Sequence, residues 1–354
     1  MVTFLVFIFI LSILIVVHEF GHFLAAKQAG VKVEKFAIGF GPPLLKINGK
    51  ETQFLICLFP LGGYVKLAGD TRSGCQGFSH EFLSKPVGIK MRIVFVGPLF
   101  NYLLAFILFW GMGLIGFPHL DTVVGGVLEG YPAYQAGLKE GDKILEVGGR
   151  RVEYWAEMAK VIHEASEKTS LKIEREGKII LLDISLKEKE VVDELGAKRN
   201  VSLIGIFASE KVKIIKYNFF KAFLKGGEAL FNLTTLIGKG FIAMIFRKVS
   251  VKDAVTGPIG IYYITSQAVR MGIIAILHLM AVLSTSLAVV NLFPLPVLDG
   301  GHLLIFFIEK IRKRSLSEKT EDFLTRAGLT FIGLLAIFIF YNDIVKFGFK
   351  IWEK

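Results

Sequence analysis

An apolar run, Met1 to Val17, leads directly into His18-Glu19-Phe20-Gly21-His22, and this junction constrains the chain more than any other feature. As a helix the run rises about 26 Å, and carrying on to Ala26 makes it long enough to cross a bilayer with the polar residues toward its far end. Histidines four apart lie roughly 40° apart around a helix axis, so both imidazoles can reach one metal ion while Glu19 stands beside it. Ionisable groups at membrane depth are costly and persist where they have a task. The plain alternative is a pair of ordinary histidines near a membrane surface, and the rest of the chain has to decide.

The composition fits a membrane protein: 354 residues, 53% of them hydrophobic, with a mean hydropathy of +0.56. The formal net charge of +11 comes without a long basic block or a nucleic-acid motif. It therefore points to anionic lipid headgroups and to orientation by the positive-inside rule, and not to nucleic acid. Cys57 and Cys75 form no C-x-x-C pair, so neither a disulfide framework nor a cysteine zinc site is indicated. Met1-Val2-Thr3 lacks the basic residue of a secretory signal, and cleavage after the run would strand the histidines at a new terminus, so it is read as a first transmembrane helix.

Taken in order, residues 1–30 form that helix and 31–90 a loop region of membrane-associated β-hairpins on the cytoplasmic side. Asn48-Gly49, between Leu44-Leu45-Lys46-Ile47 and Thr52 to Phe59, is a hairpin signal. The second arm is unusually apolar. It either faces water or dips into the protein beside the metal, where its free edge could hold an extended substrate. Residues 91–118 form a second span, interrupted by Gly97-Pro98 and carrying Asn101, which serves either a helix–helix hydrogen bond or substrate binding. After the soluble stretch 119–209, residues 210–270 interleave Lys211, Lys213, Lys216, Lys221 and Lys225 with apolar residues, as interfacial amphipathic helices do. A third span, 271–308, breaks at Asn291-Leu292-Phe293-Pro294-Leu295-Pro296-Val297-Leu298-Asp299-Gly300, and such a break is tolerated only where protein or a water-filled cavity covers the backbone. A polar connector (309–326), a fourth span (327–347) and a tail (348–354) complete the chain.

Within 119–209, Ala136-Gly137-Leu138, Gly141-Asp142 and Gly148-Gly149 fall in order among short strands and one short helix. The stretch resembles a PDZ domain of the kind found in bacterial proteases. By that likeness Leu203-Ile204-Gly205-Ile206 is the peptide-binding edge strand, or the domain merely limits access.

A catalytic zinc takes three protein ligands and keeps one position for water, so His18 and His22 need a third donor. Asp299, the carboxylate of the third span's broken end, is the best candidate, and Gly300 and Gly301 let backbone approach closely there. The H-E-x-x-H, the Gly97-Pro98 with Asn101, the PDZ-like insert and the Asn291-to-Gly300 stretch together resemble the site-2 protease family of intramembrane zinc metallopeptidases. The resemblance is strongest to regulator-of-sigma-E proteases, although this chain has room for one PDZ domain where the better-known members carry two. It implies one Zn2+ per chain held by His18, His22 and Asp299, with Glu19 as general base and then acid. It also implies Asn291 and Asn101 as holders of substrate backbone. The implied substrates are single-span membrane proteins already shortened by another protease, of the anti-sigma factor class, or remnant signal peptides. A membrane-anchored PDZ adaptor with an inert metal site is the alternative, and the intact Glu19 speaks against it. A shared metal requires His22 and Asp299 to lie on one side, which gives four crossings and leaves Gly227 to Phe246 at the interface. Basic flanks at Lys85 to Arg92 and Lys310 to Arg326 place the metal toward the cytoplasm, with the PDZ domain and both termini outside a bacterial inner membrane. His278 is read as a structural hydrogen-bonding residue and His302 as a partner to Asp299.

Overall fold

The computed structural model describes residues 1–165, 168–192 and 198–352. They form two compact units, one of Met1–Met112, Phe223–Ile242 and Ser250–Lys354, the other of Gly113–Ala222 with Ala243–Val249. In chain order the elements are α1 (Val2–Gln28), β1 (Val33–Asn48), β2 (Gln53–Leu67), α2 (Val87–Ile115), β3 (Phe117–Leu120), β4 (Val124–Val127), α3 (Pro132–Gln135), β5 (Lys143–Val147) and β6 (Arg150–Arg151). Then come α4 (Trp155–Glu164), β7 (Lys168–Arg175), β8 (Lys178–Ser185), β9 (Lys187–Val192), β10 (Lys198–Leu203), β11 (Ile206–Ala208) and β12 (Val212–Ile215). The chain ends with α5 (Phe219–Ile245), α6 (Val251–Ala254), α7 (Pro258–Met271), α8 (Ile273–Asn291), α9 (Asp299–Arg312) and α10 (Glu318–Trp352).

In the first unit, α1, α7 and α8 share a core in which Ile10 and Leu14 meet Ala268, Leu279 and Met280. A second core joins the end of α1 to the sheet, the start of α2 and α9 through Ala25, Ala26, Val33, Leu67, Ile93 and Phe306. Outward-facing residues such as Phe4, Phe9, Phe331 and Ile337 are exposed, the inverse of a water-soluble surface and suited to lipid. Among the described residues five helices are long and apolar enough to cross a membrane: α1, α2, α5, α8 and most of α10. Where the sequence suggests four spans, α5 is the additional candidate. Along α2 it brings Thr234 to Tyr102 at 2.8 Å and Phe223 onto Phe106 and Trp110.

The predicted Asn48-Gly49 hairpin is present, with Asn48 opposite Gln53 and Ile47 opposite Phe54. The sheet goes further, because β1 is paired on both sides: Ala37 lies opposite Leu55 and also opposite Tyr64. Residues 63–67 thereby form a border segment of the sheet. α2 runs unbroken through Pro98, and the connector 309–326 is mostly helical, with only residues 313–317 between α9 and α10. That connector is tied down by Arg72, which bonds both Glu321 and the buried Glu309, while Lys90 also approaches Glu309 at 3.6 Å.

The second unit has its own core of Val124, Leu138, Ile144, Val147, Met158, Leu171, Ile173 and Ile184. Strands β6-β5-β7-β8 form one sheet, β11 pairs with β4, and β10 pairs with β9. The helix α4 joins the one short helix expected from the sequence. The predicted edge strand Leu203–Ile206 is corrected. Leu203 ends β10, the carbonyls of Ile204 and Gly205 accept N–H bonds from Ala133 and Leu128, and the strand that starts at Ile206 is β11. The break falls at Gly205, whose φ of +81° and close approach to Tyr131 no residue with a Cβ would tolerate.

Candidate metal centre

The helical repeat of α1 turns His18 and His22 to one side, and the first residue of α9 brings Asp299 to meet them. Asp299 Oδ2 lies 3.1 Å from His18 Nε2 and 3.5 Å from His22 Nε2, and the two Nε2 atoms are 3.2 Å apart. Among the described residues this is the one group of three side chains placed to hold a metal ion.

Small residues make the convergence possible. A Cβ on Gly97 would sit 2.2 Å from His22 Nε2, and one on Gly21 would sit 2.5 Å from the Val96 carbonyl oxygen, so α1 and α2 meet at two glycines. Gly300 and Gly301 press against the carbonyls of Leu292, Phe293 and Leu295 with no room for a side chain. This packing seats Asp299 at the start of its helix. Two residues earlier Val297 has φ +80°, a strained value for a β-branched residue of the kind that collects at functional sites.

The donor set fits a cation. His22 donates its Nδ1–H to the Ile93 carbonyl at 2.9 Å, which leaves Nε2 as a bare acceptor. Asp299 Oδ2 is buried without a hydrogen-bond partner. A carboxylate oxygen and an imidazole lone pair aimed at one point repel each other unless a positive charge sits between them. Two imidazoles and one carboxylate form a donor set typical of catalytic zinc, which leaves a position open. No thiol competes: Cys57 is buried in the sheet and Cys75 faces Glu81 and Ser84.

Glu19 faces the border of the sheet. Its Cγ would lie 3.3 Å from a Cβ on Gly63. The arm Thr52 to Phe59 of the hairpin leaves Phe54, Ile56, Leu58 and Phe59 exposed, and it is the later segment of β2, at Gly63, that approaches Glu19. Asn291 is the final residue of α8, half-buried, eight residues before Asp299. Asn101 is fully buried, with its amide 3.5 Å from His18 Nδ1 and its carbonyl accepting from Ser284 at 2.7 Å. It stands next to His18 and ties α2 to α8. His278 packs against Phe109, away from the cluster, and His302 lies one turn beyond Asp299 with its ring toward Phe306. The Ile93 carbonyl was not foreseen from the sequence, since a backbone acceptor leaves no trace in residue types.

Comparison with known proteins gives a family. The model of Peptidase family M50 matches residues 6–335. A Campylobacter jejuni subsp. jejuni protein named "Putative zinc metalloprotease Cj1068" is 34% identical over 98% of this chain and 94% of its own length. A Brucella suis relative of the same designation is 32% identical over 97% of this chain and 95% of its own, and a Staphylococcus aureus one 29% identical over 98% and 99%. The PDZ domain of an SdrC-like protein from Listeria innocua aligns with 26% of this chain and 96% of its own, at 26% identity and a TM-score of 0.21.

Proposed function

Since the chain belongs to peptidase family M50 and is a membrane zinc metalloprotease, we propose that it cuts single-span membrane proteins inside their membrane segment after another protease has shortened them. Anti-sigma factors are the first substrate class and remnant signal peptides the second. The observation that carries this reading is the convergence of His18 and His22 from the apolar helix α1 with Asp299 at the start of α9, and Glu19 at the sheet border.

One Zn2+ per chain fits these three donors, and when bound it supplies an activated water and polarises the scissile carbonyl. Glu19 takes the proton of that water and returns it to the leaving amine. Helical hydrogen bonds shield a substrate's carbonyls, so the substrate has to unwind before cleavage. The border segment 63–67 accepts the unwound strand through backbone hydrogen bonds, and Asn291 holds its backbone. The PDZ-type unit selects substrates by size or by docking a trimmed end.

Helix polarity supports a four-span topology. Leu279 and Met280 of α8 pack with Ile10 and Leu14, and Asp299 beyond its end meets His18, so α8 runs in the direction of α1. α2 runs the other way, taking Ile93 to His22 and Asn101 to His18. The stretch from α5 to α7 thus makes no net crossing, which favours four spans. Basic flanks favour a bacterial inner membrane with the metal toward the cytoplasm and the PDZ-type unit and both termini outside.

The test is cleavage of a model single-span substrate by the purified full chain and by Glu19→Gln, with bound zinc measured in both. Loss of cleavage with zinc retained is the expected result. A wild-type chain that binds zinc yet cuts no membrane segment would favour the adaptor reading.

A further inference from the structure

The two histidines of the centre are held from behind by the same helix. His22 donates Nδ1–H to the Ile93 carbonyl of α2, which commits its Nε2 to the metal. Two turns further along α2, Asn101 stands behind His18, fully buried, with its amide nitrogen drawn 3.5 Å from His18 Nδ1 and its Oδ1 left without a partner. In that orientation an amide N–H meets Nδ1 and forces the ring proton onto Nε2, the atom 3.1 Å from Asp299 Oδ2. A ring protonated there cannot bind a metal through Nε2. The two ends of a side-chain amide are interchangeable in placement, and turning this one puts an acceptor against His18 Nδ1.

We propose that Asn101 is a positioning residue for the zinc centre: its Oδ1 accepts the Nδ1–H of His18 and holds that ring in the tautomer whose Nε2 is free for the metal. The Ser284 hydroxyl, donating to the Asn101 carbonyl at 2.7 Å, fixes the backbone from which the amide reaches. α2 thus supplies both outer partners, one from its backbone and one from a side chain. The acceptors behind a metal's histidines raise their basicity and fix their orientation. This role rests on the zinc reading above and gives Asn101 a task that does not require touching substrate.

The experiment titrates zinc into the metal-free full chain against a chromophoric chelator, for the wild type, Asn101→Leu and Asn101→Asp, with thermal unfolding of each metal-free protein as the folding control. Leucine keeps the volume and removes the acceptor, and its zinc affinity is expected to fall about 10–100-fold. Aspartate keeps an acceptor at the same place and is expected to stay within about threefold of wild type. If Asn101→Leu does not fold, Asn101→Ala, which adds no bulk, takes its place. A folded variant lacking the acceptor that binds zinc as tightly as wild type would overturn the proposal. So would an aspartate variant that loses as much affinity as leucine. A wild-type chain that binds no zinc would instead overturn the functional reading beneath it.

Discussion

Two aspartates, the buried Asp142 of the second unit and the partly buried Asp299 of the first, are treated in opposite ways. Asp142 is 1% exposed and saturated: Arg175 reaches its two oxygens through Nε and Nη2, both at 2.6 Å, and the Lys139 N–H adds a third bond at 2.8 Å. Arg175 also bonds the Gly137 carbonyl, so the pair pins the turn before β5. Asp299 has no such partner for its buried Oδ2, and what it faces are two imidazole nitrogens. The fold fully pairs one carboxylate and leaves a buried oxygen of the other unpaired. Buried polar groups that a protein leaves unsatisfied mark function more sharply than burial does.

The contrast can be broken by mutation. The largest effect is expected from Glu19→Gln, which should lower cleavage about 10²–10⁴-fold while the chain stays folded and keeps its zinc. Metal analysis beside the cleavage assay checks both halves. Next, Asp142→Asn should destabilise the second unit by about 3 kcal/mol, because it strips the charge from a buried pair. Denaturant unfolding measures this, and zinc affinity should not change. Asp299→Asn should do the reverse, losing the metal without lowering the thermal stability of the metal-free chain. Gly97→Ala should weaken zinc binding about tenfold by displacing the His22 ring, as read from the same chelator titration.

The smallest effect is in pH dependence. Burial alone would raise the Asp142 carboxyl, but the Arg175 guanidinium and the Lys139 N–H outweigh it and hold it below the usual carboxylate range. Its contribution to stability is therefore full above the unfolded value of about 3.9 and is lost as pH falls through the lower folded value. The unfolding midpoint of the second unit should drop through that acid window in wild type, and should drop less in Asp142→Asn.

The same two aspartates show what was legible in the sequence. Asp299 could be found because two histidines in an apolar helix demanded a third ligand and the broken end of a span offered a carboxylate. Gly141-Asp142 was visible as a motif, but Arg175, its partner across a strand, was not. Chemistry that repeats along one element can be read from spacing. Contacts between elements cannot, which is why the Ile93 carbonyl, the clamp of Arg72 on Glu309 and Glu321, and the place of Asn101 behind His18 appear only in three dimensions. The edge strand of the second unit was misplaced because the positive φ at Gly205 ends one strand and starts the next inside a run of β-prone residues. Packing against α1 and the sheet keeps α2 helical through Pro98, as the second span requires.

The central claim is that His18, His22 and Asp299 together hold one zinc. X-ray absorption at the zinc edge of the purified full chain tests it most directly. Two imidazole nitrogens and oxygen ligands at about 2.0–2.2 Å are the expected first shell. A sulfur ligand at about 2.3 Å, or a spectrum that Asp299→Asn leaves unchanged, would contradict it.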